Sequence, residues 1–292
     1  FVLGVATKEV AVTLPLALLL WEMTDSRRSF SFRTIIKRQA VHWIMLFLVL
    51  LAIVTHARYG KLLAFSFGIR GFYENLLSQI NGVTYLFSRL FLITKLNIDP
   101  DLPVIAAWSL PLILESVFLV CILFVGIITI RRMSWLSFGI LWFFLHVMFV
   151  MIFVPRNDII NERHFYLGGL GVFFIFSMAF GGMLNKYTRF RNIFLISALC
   201  VLIMLGCFTV VRNNVYRSEI ALWEDTARKS HGKARVFNNL GYAYYLAGQK
   251  DKAREAYERA LRIEPGFELA RNNLALLEKE ENKMQHKMIK GR

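Results

Sequence analysis

A charged loop between two apolar segments is the part of the sequence best suited to chemistry. It carries six ionisable side chains, namely Arg156, Asp158, Glu162, Arg163, His164 and Tyr166. The segments on either side, 135–154 and 167–184, are strongly apolar. Ionisable groups at the edge of a membrane are costly to desolvate unless they are paired, so this loop is a candidate functional site. The alternative is a solvated loop whose Arg and Tyr side chains anchor helix ends at the lipid headgroups.

The acidic residues of the sequence allow two further interpretations. Asp158 and Glu162 are four residues apart, so a helical loop would place both on one face. Either could then pair with a neighbouring arginine and have no catalytic role. Asp99-Pro-Asp101 resembles the Asp-x-Asp pattern of some sugar-nucleotide enzymes, but it stands just before Pro103. We therefore predict a turn at this position.

Several cations near the ends of apolar segments could bind a lipid phosphate or pyrophosphate. They are Lys8, beside Glu9, and Arg58, Lys61 and Arg70. The alternative for the last three is headgroup contact without catalysis. Motifs of soluble enzymes, such as a Gly-rich phosphate loop, a paired-Cys motif or a nucleophile elbow, are absent. The 6 His are scattered along the chain. We predict neither a metal site nor a cofactor.

The composition indicates a polytopic membrane protein. Hydrophobic residues make up 56% of the 292 residues, which is too apolar for a soluble domain. Lys8-Glu9 and Pro15 interrupt the first apolar segment, so a kinked or broken helix is expected there. The predicted spans are 1–22, 40–57, 104–130, 135–154, 167–184 and 193–211.

The positive charges predict the topology. The net charge is +15, but Lys and Arg lie mainly in short turns between apolar segments, which is typical of membrane topology and not of nucleic-acid binding. Three basic turns, at 27–38, 131–132 and 186–191, are predicted to be cytoplasmic. Loop 58–103, the central loop at 155–166 and everything after 212 then lie on the opposite side. For the same reason the semi-apolar segment 76–98 is predicted to be interfacial or re-entrant; a single crossing would break the charge bias at one end.

After residue 212 the sequence changes to a soluble helical pattern, which we assign to a module at 213–280 followed by a charged, frayed tail at 281–292. One full tetratricopeptide repeat is predicted at 234–267. A helix at 218–229 is predicted as the second helix of a degenerate repeat, and a helix from 267 as a cap. So short an array is expected to dock on the membrane domain or on another chain. The residues at the repeat's characteristic positions are Phe237, Leu240, Gly241, Tyr244, Ala253, Tyr257, Ala260 and Pro265.

Three segments together resemble one membrane family. Ala6-Thr-Lys8-Glu9, followed by Pro15, resembles its Ser-Lys-Glu…Pro segment. Gln79…Asp99 resembles its central region, and Asn157…Leu167 resembles its Glu-Arg-His-x-Tyr-Leu motif. The family is that of the transmembrane and tetratricopeptide repeat-containing O-mannosyltransferases and their bacterial relatives, in the GT-C class of glycosyltransferases. The fold expected from this resemblance is all-α: a membrane domain corresponding to the C-terminal half of a GT-C fold, followed by the short tetratricopeptide module.

The resemblance implies transfer of a mannose-like hexose from a polyprenyl-phosphate donor to an acceptor hydroxyl. The acceptor is expected to be a protein, and transfer to occur on the extracytoplasmic side of a bacterial inner membrane. The acidic residue that serves the family as general base is expected in an N-terminal half upstream of this sequence. We therefore expect the chain to be part of a longer polypeptide and to be inactive alone. The motif positions predicted to face the donor phosphate are Lys8, Glu9, Glu162, Arg163, His164 and Tyr166.

Within this predicted site, Arg163 and Lys8 would neutralise the leaving phosphate. Glu162 would hold Arg163, and His164 or Tyr166 would donate hydrogen bonds. We add Arg58 and Asp158 to the site because they are charged residues on the same predicted side. Two alternatives remain open. One is a non-catalytic membrane anchor that presents the tetratricopeptide module to a protein partner, and the other is an oligosaccharide ligase with a lipid-pyrophosphate donor.

Overall fold

The structure is a computed structural model that describes residues 3–4, 9–25, 32–153 and 155–290. Every regular element in these ranges is a helix, which confirms the predicted all-α class. The chain divides into two units. Unit 1 consists of Phe1–Leu92 and Leu102–Ile196, and unit 2 of Ile93–Asp101 and Ser197–Arg292. The sequence placed the boundary at 212 and gave no sign that residues 93–101 belong with the C-terminal unit.

Unit 1 is built from eight helices and the start of a ninth. They are α1 (Leu14–Thr24), α2 (Phe32–Arg38), α3 (Ala40–Thr55), α4 (Ala57–Ile69), α5 (Phe72–Phe91), α6 (Leu110–Ile128), α7 (Ser134–Phe153), α8 (Phe165–Lys186) and the first part of α9 (Arg191–Val215). A 3-10 turn, Glu9–Thr13, precedes α1. Pro15 lies in the first turn of α1, where a missing N–H leaves no intrahelical hydrogen bond unmade. The predicted span 1–22 is therefore broken within the described residues.

Helix α5 forms much of the unit 1 core. Leu77, Val83 and Leu86 are fully buried and pack with residues of α6 and α7. The helix begins four residues before the predicted start at 76 and runs without a break to Phe91. The segment is thus one continuous helix over most of its predicted length. Its position relative to a bilayer remains a prediction.

Helices α7 and α8 pack closely against each other, and glycines allow it. A Cβ added at Gly171 would lie 2.3 Å from the carbonyl oxygen of Gly139, and one added at Gly139 would lie 2.5 Å from the carbonyl oxygen of Gly171. A Cβ at Gly168 would lie 2.4 Å from a methyl carbon of Val147. Small residues let the backbones of two membrane helices approach in this way.

Three helical segments in the described part of the chain are long and apolar enough to cross a membrane. They are Leu110–Ile128, Glu162–Lys186 and Thr188–Val215. Helices α3 and α4, which bend sharply at His56, would make a fourth if they formed one broken span. Two shorter apolar helices, Val10–Thr24 and Ser134–Val147, coincide with further predicted spans. The prediction of membrane-spanning helices is supported at this level.

Unit 2 contains the end of α9 and four helices, α10 (Glu219–Lys229), α11 (Ala234–Leu246), α12 (Lys250–Ile263) and α13 (Glu268–Lys290). Tyr257, Val236 and Leu277 are almost completely buried in its core. Gly241 is needed there, because an added Cβ would lie 2.6 Å from the Tyr257 ring. Helix α13 continues through the predicted tail to Lys290, and the side chains of Tyr245 and Arg254 hold its Glu280 and Glu281.

Two buried tyrosines predict how unit 2 responds to alkaline pH. Burial raises the pKa of Tyr257 to about 12, and burial together with a hydrogen bond to Glu224 does the same for Tyr244. Unfolded tyrosines ionise near pH 10. The free energy of unfolding should therefore stay constant up to about pH 10 and fall as the pH approaches 12. Tyrosinate absorbance should show a late step that Tyr257→Phe reduces; a complete titration near pH 10 would contradict this.

Candidate functional site: the central loop and the strap

The central loop, residues 155–164, is held by side chains at the start of α5. Asn75 donates from Nδ2 to the carbonyl oxygens of Met151 and Ile152, both at 2.9 Å. Gln79 Nε2 donates to the Ile159 carbonyl at 2.8 Å. These side chains satisfy buried carbonyl groups at the end of α7 and in the loop, which no helical hydrogen bond reaches.

Arg70, just before α5, makes a third contact of this kind. Its guanidinium donates to the Arg156 carbonyl at 2.8 Å, and the residue is 5% exposed. The pKa of Arg70 is lowered, because the effect of burial outweighs the opposite effect of the carboxylates of Asp158 and Glu74. The sequence suggested Arg70 as a phosphate ligand; the structure uses it to fix the backbone of the loop.

Within the loop, the side chains of Asp158 and His164 accept hydrogen bonds from a neighbouring residue, Asn161. Asn161 Nδ2 donates to Asp158 Oδ2 at 2.6 Å, and Arg156 Nε lies 3.6 Å from Asp158 Oδ1. The Asn161 side chain accepts the Arg163 N–H at 2.9 Å, and His164 Nδ1 accepts the Asn161 N–H at 3.2 Å. Together they form a capping box at the 3-10 turn Glu162–His164 that leads into α8.

Asp158 and Glu162 do not share one helical face, because the loop is not helical at Asp158. Asp158 lies in a non-helical bend, and the first helical turn begins at Glu162. Asn161 has an extended backbone and a capping side chain, so the helical turn begins only after it, at Glu162. Asp158 is buried and contacts Asn161 and Arg156, so its immediate role is to organise the loop.

The predicted site residues are only partly brought together. Arg163 and Tyr166 are exposed, Tyr166 to 88%, while Glu162 and His164 are half-buried. Arg58 is exposed in the first turn of α4, and its backbone N–H donates to His56 Nδ1. Lys8 lies outside the described residues. Glu9 is the first residue of the initial 3-10 turn, and the structure does not describe its side chain.

The α5 contacts give a testable prediction for the loop. Gln79→Met keeps the size of the side chain but leaves the buried Ile159 carbonyl without its donor, which costs roughly 1–3 kcal/mol. Amide hydrogen exchange over residues 155–161 should become faster, as measured by mass spectrometry. Thr84→Val is the matched control on the same helix, because Thr84 bonds only within α5, to the Ile80 carbonyl. Equal exchange in the two variants would contradict this role for Gln79.

The best-defined polar cluster in unit 2 surrounds residues 93–101, which we call the strap. The strap begins with a 3-10 turn, Ile93–Lys95, and is then non-helical to Asp101. The turn between α10 and α11 binds its backbone. Lys229 Nζ donates to the Leu96 carbonyl at 2.8 Å, and the Ser230 hydroxyl donates to the Asp99 carbonyl at 2.7 Å. Lys233 Nζ donates to the Pro100 carbonyl at 3.1 Å.

The strap's side chains are bound as well. Asp99, with a side chain 2% exposed, accepts hydrogen bonds from Lys233 Nζ at 2.6 Å and from Arg235 at 2.5 Å. Asp101 Oδ2 accepts the Gly232 N–H at 2.8 Å, close to the N-terminus of α11, where negative charge is favourable. The predicted turn is present as a bend at Ile98 and Asp99. Both Asp99 oxygens are already paired with cations, so this residue is not available for the metal chemistry of an Asp-x-Asp motif.

A second buried carboxylate connects α9 with α10. Asp225 lies 2.7 Å from Arg212 and 2.7 Å from Lys229, so Lys229 contacts both Asp225 and the strap. Burial acts to raise the pKa of Asp225, but the hydrogen bonds and charges of Lys229 and Arg212 outweigh it and hold this pKa below its usual range. Arg212 lies in the last turn of α9, so the ion pair fixes α10 to the end of this helix within unit 2.

Comparison with known proteins identifies the repeat. The tetratricopeptide repeat family model matches residues 234–267, which confirms the predicted repeat. The chain is 45% identical over 47 residues to "Uncharacterized protein ycf37" of Pyropia yezoensis, covering 16% of this chain and 26% of that protein. It is 45% identical over 42 residues to the protein of the same name from Porphyra purpurea, covering 14% and 24%. These matches span about a quarter of each relative. No solved structure matches the chain.

Proposed function

We propose that this protein is an integral membrane protein that presents its tetratricopeptide module on the extracytoplasmic side, where the module binds a protein partner. Tetratricopeptide arrays act mainly through the surfaces that they offer to other proteins. Supporting this proposal are the confirmed repeat and the helices long enough to cross a membrane. The observation that carries it is the strap. Its contacts with the module require that residues 93–101 and the module lie on the same side of the membrane, although they are far apart in the sequence.

The strap and the module are separated by four helices, α6 to α9. Since unit 2 contains both, an even number of these helices must cross the membrane. Three segments pass the length and hydropathy test, those of α6, α8 and α9. We infer that α7 crosses too. Its 20 residues extend about 30 Å at about 1.5 Å per residue, which matches the hydrocarbon thickness of a bilayer.

The basic turns supply the orientation. Arg131 and Arg132 follow α6, and Lys186, Arg189 and Arg191 lie between α8 and α9. With four crossings, both turns fall on the side opposite to the strap. Short loops rich in Lys and Arg stay in the cytoplasm. The strap, the central loop and the tetratricopeptide module would then all be extracytoplasmic.

A partner could contact the exposed aromatic surface of α11. Tyr242 is 48% exposed and stacks on Tyr245, with ring centroids 6.4 Å apart. Leu246, one helical turn after Tyr242, is 61% exposed. Aromatic residues with a polar tip are enriched where proteins bind each other.

Site-specific photo-crosslinking in intact membranes tests the first proposal. A photoreactive side chain at Tyr242 should form a crosslink to one defined protein. The same group at Glu255, exposed on α12, should not. Loss of the crosslink in Tyr245→Ala would connect it to this surface. Equal crosslinking from both positions, or none from either, would count against a partner on α11.

The central loop favours sugar transfer as a second candidate function. Its backbone is fixed by buried hydrogen bonds from α5, while Arg163 stays exposed at the start of α8. A rigid loop that presents a cation suits charge neutralisation on a leaving phosphate, because a preorganised charge need not reorganise during the reaction. This is the role that the family resemblance implies for Arg163. A polyprenyl-phosphate hexose would be the donor and a protein hydroxyl the acceptor.

Transfer of labelled mannose from polyprenyl-phosphate mannose tests this second function in membranes that contain the full polypeptide. Arg163→Ala should abolish transfer without changing membrane abundance, while Arg189→Ala, on a basic turn, should leave it intact. Mass spectrometry of the acceptor would distinguish a single hexose from the whole glycan of a ligase. Unchanged transfer in Arg163→Ala would remove this residue from the site.

A further inference from the structure

The strap is bound in the way that a separate peptide would be. Over six residues, the turn between α10 and α11 contacts three strap carbonyl groups, those of Leu96, Asp99 and Pro100. It also contacts the side chains of Asn97, Asp99 and Asp101. The bound segment from Leu96 to Asp101 is non-helical, so these three carbonyl groups take their hydrogen bonds from the module and not from a helix. Such backbone contacts give affinity, and the side-chain contacts give specificity.

The attachment is polar and not apolar. The buried side chains of the strap are Asn97, Asp99 and Pro100, and no strap residue belongs to the described hydrophobic core of unit 2. Segments held by ionic contacts can exchange with a competing anion, whereas a segment buried in a core cannot leave without unfolding the domain. Lys233 and Arg235 keep 18% and 26% of their side-chain surface exposed, so solvent reaches the cations that hold Asp99.

We propose that the strap is an internal ligand that occupies a binding site for acidic, extended protein segments on the tetratricopeptide module. The site consists of Lys229, Ser230, Gly232, Lys233 and Arg235. It recognises an Asp-x-Asp spacing, because Arg235 and Lys233 bind the first carboxylate and the Gly232 N–H binds the second. An acidic segment of the partner competes with the strap for this site. This inference rests on the proposed partner-binding function and names the chemistry that the partner must supply.

The tether determines how strongly a partner must compete. A segment joined to its own binding site acts at an effective concentration on the order of millimolar. A free peptide of the same sequence therefore binds the intact protein weakly and binds a strap-released protein much better. This difference can be measured without knowing the partner.

The probe is the acetylated peptide Leu-Asn-Ile-Asp-Pro-Asp-Leu, which copies residues 96–102, with a fluorophore for anisotropy. The full chain in nanodiscs is compared with its Asp99→Asn variant. The variant should bind the probe at least tenfold more tightly than the unmodified protein. Adding Arg235→Gln to the variant, or replacing the first Asp of the probe by Asn, should remove that gain. Equal affinity of both proteins, or no binding up to about millimolar peptide, would overturn the proposal.

A second measurement avoids any effect of Asp99→Asn on folding. With the unmodified protein, unlabelled peptide at millimolar concentration should accelerate trypsin cleavage after Lys95, because it displaces the strap. The peptide lacks Lys and Arg and is not itself cut. The peptide with Asn at both Asp positions should have no effect. Equal acceleration by this peptide would show that the site does not recognise the carboxylates, and no acceleration by either peptide would show that the strap is a permanent joint; either result would overturn the proposal. If the partner binds α11 while the strap stays in place, the crosslink from Tyr242 will still form, but the peptide will not accelerate cleavage after Lys95.

Discussion

Replacing Asp99 by asparagine is expected to open the strap roughly a hundredfold more often than in the unmodified protein. Asp99 accepts hydrogen bonds from Lys233 and Arg235, and its side chain is almost completely buried. Removing one member of a buried charge cluster typically costs 3–5 kcal/mol. We expect about 3 kcal/mol here, because Lys233 and Arg235 are partly exposed and can be rehydrated. Each 1.4 kcal/mol changes an equilibrium about tenfold.

Hydrogen exchange of the amides from Leu96 to Asp101 measures this opening directly. Asp101→Asn is the matched control, two residues away. Asp101 is exposed and accepts one backbone hydrogen bond, so its replacement should cost only about 1 kcal/mol. High salt should increase opening of the unmodified protein, because the contacts are ionic. If exchange in Asp99→Asn equals that in Asp101→Asn, the ion pairs do not hold the strap.

Gly171→Ala is expected to separate α7 from α8. The new Cβ would lie 2.3 Å from the Gly139 carbonyl oxygen, a distance that no real contact allows, and this neighbour is backbone that cannot rotate away. Overpacking a close contact typically costs 1–3 kcal/mol. We expect about 3 kcal/mol, because two whole helices must move. The melting temperature of the protein in detergent should fall by several degrees.

The same helix offers a matched control for this substitution. Gly181 has nothing within 4 Å of its added Cβ, so Gly181→Ala should leave the melting temperature unchanged or raise it slightly, since Ala favours helix more than Gly. Equal melting temperatures for the two variants would show that α7 and α8 are not in contact at Gly171.

Patterns within one segment predicted the helical framework. The spacing of Phe237, Gly241 and Tyr257 identified the repeat, because a tetratricopeptide core needs a small residue on one helix where an aromatic ring of the next helix packs against it. The apolar runs identified the helices long enough to cross a membrane. Helix α4 was missed, because residues 57–69 mix Arg58 and Lys61 with apolar residues and resemble a loop at a membrane surface.

Long-range contacts were not predictable in the same way. Asp99 and Arg235 are separated by 136 positions, and no periodicity connects them. One signal was present, since the acidic pair Asp99-x-Asp101 and the basic pair Lys233-x-Arg235 have the same spacing and opposite charge. The role of Asn75 and Gln79 could not be predicted either. Their side chains bind backbone carbonyl groups, and every residue type has such a group, so no sequence pattern marks the partner.

The account depends most on the strap and the module sharing the side of the membrane opposite to the basic turns. Single cysteines at Lys95, Lys252, Arg132 and Arg189, all exposed positions, can be introduced after replacing Cys121, Cys200 and Cys207. A membrane-impermeant maleimide applied to intact cells should label positions 95 and 252, and should label 132 and 189 only after permeabilisation. Labelling of 95 and 252 from opposite sides would contradict the account, because the strap could then not be bound to the module.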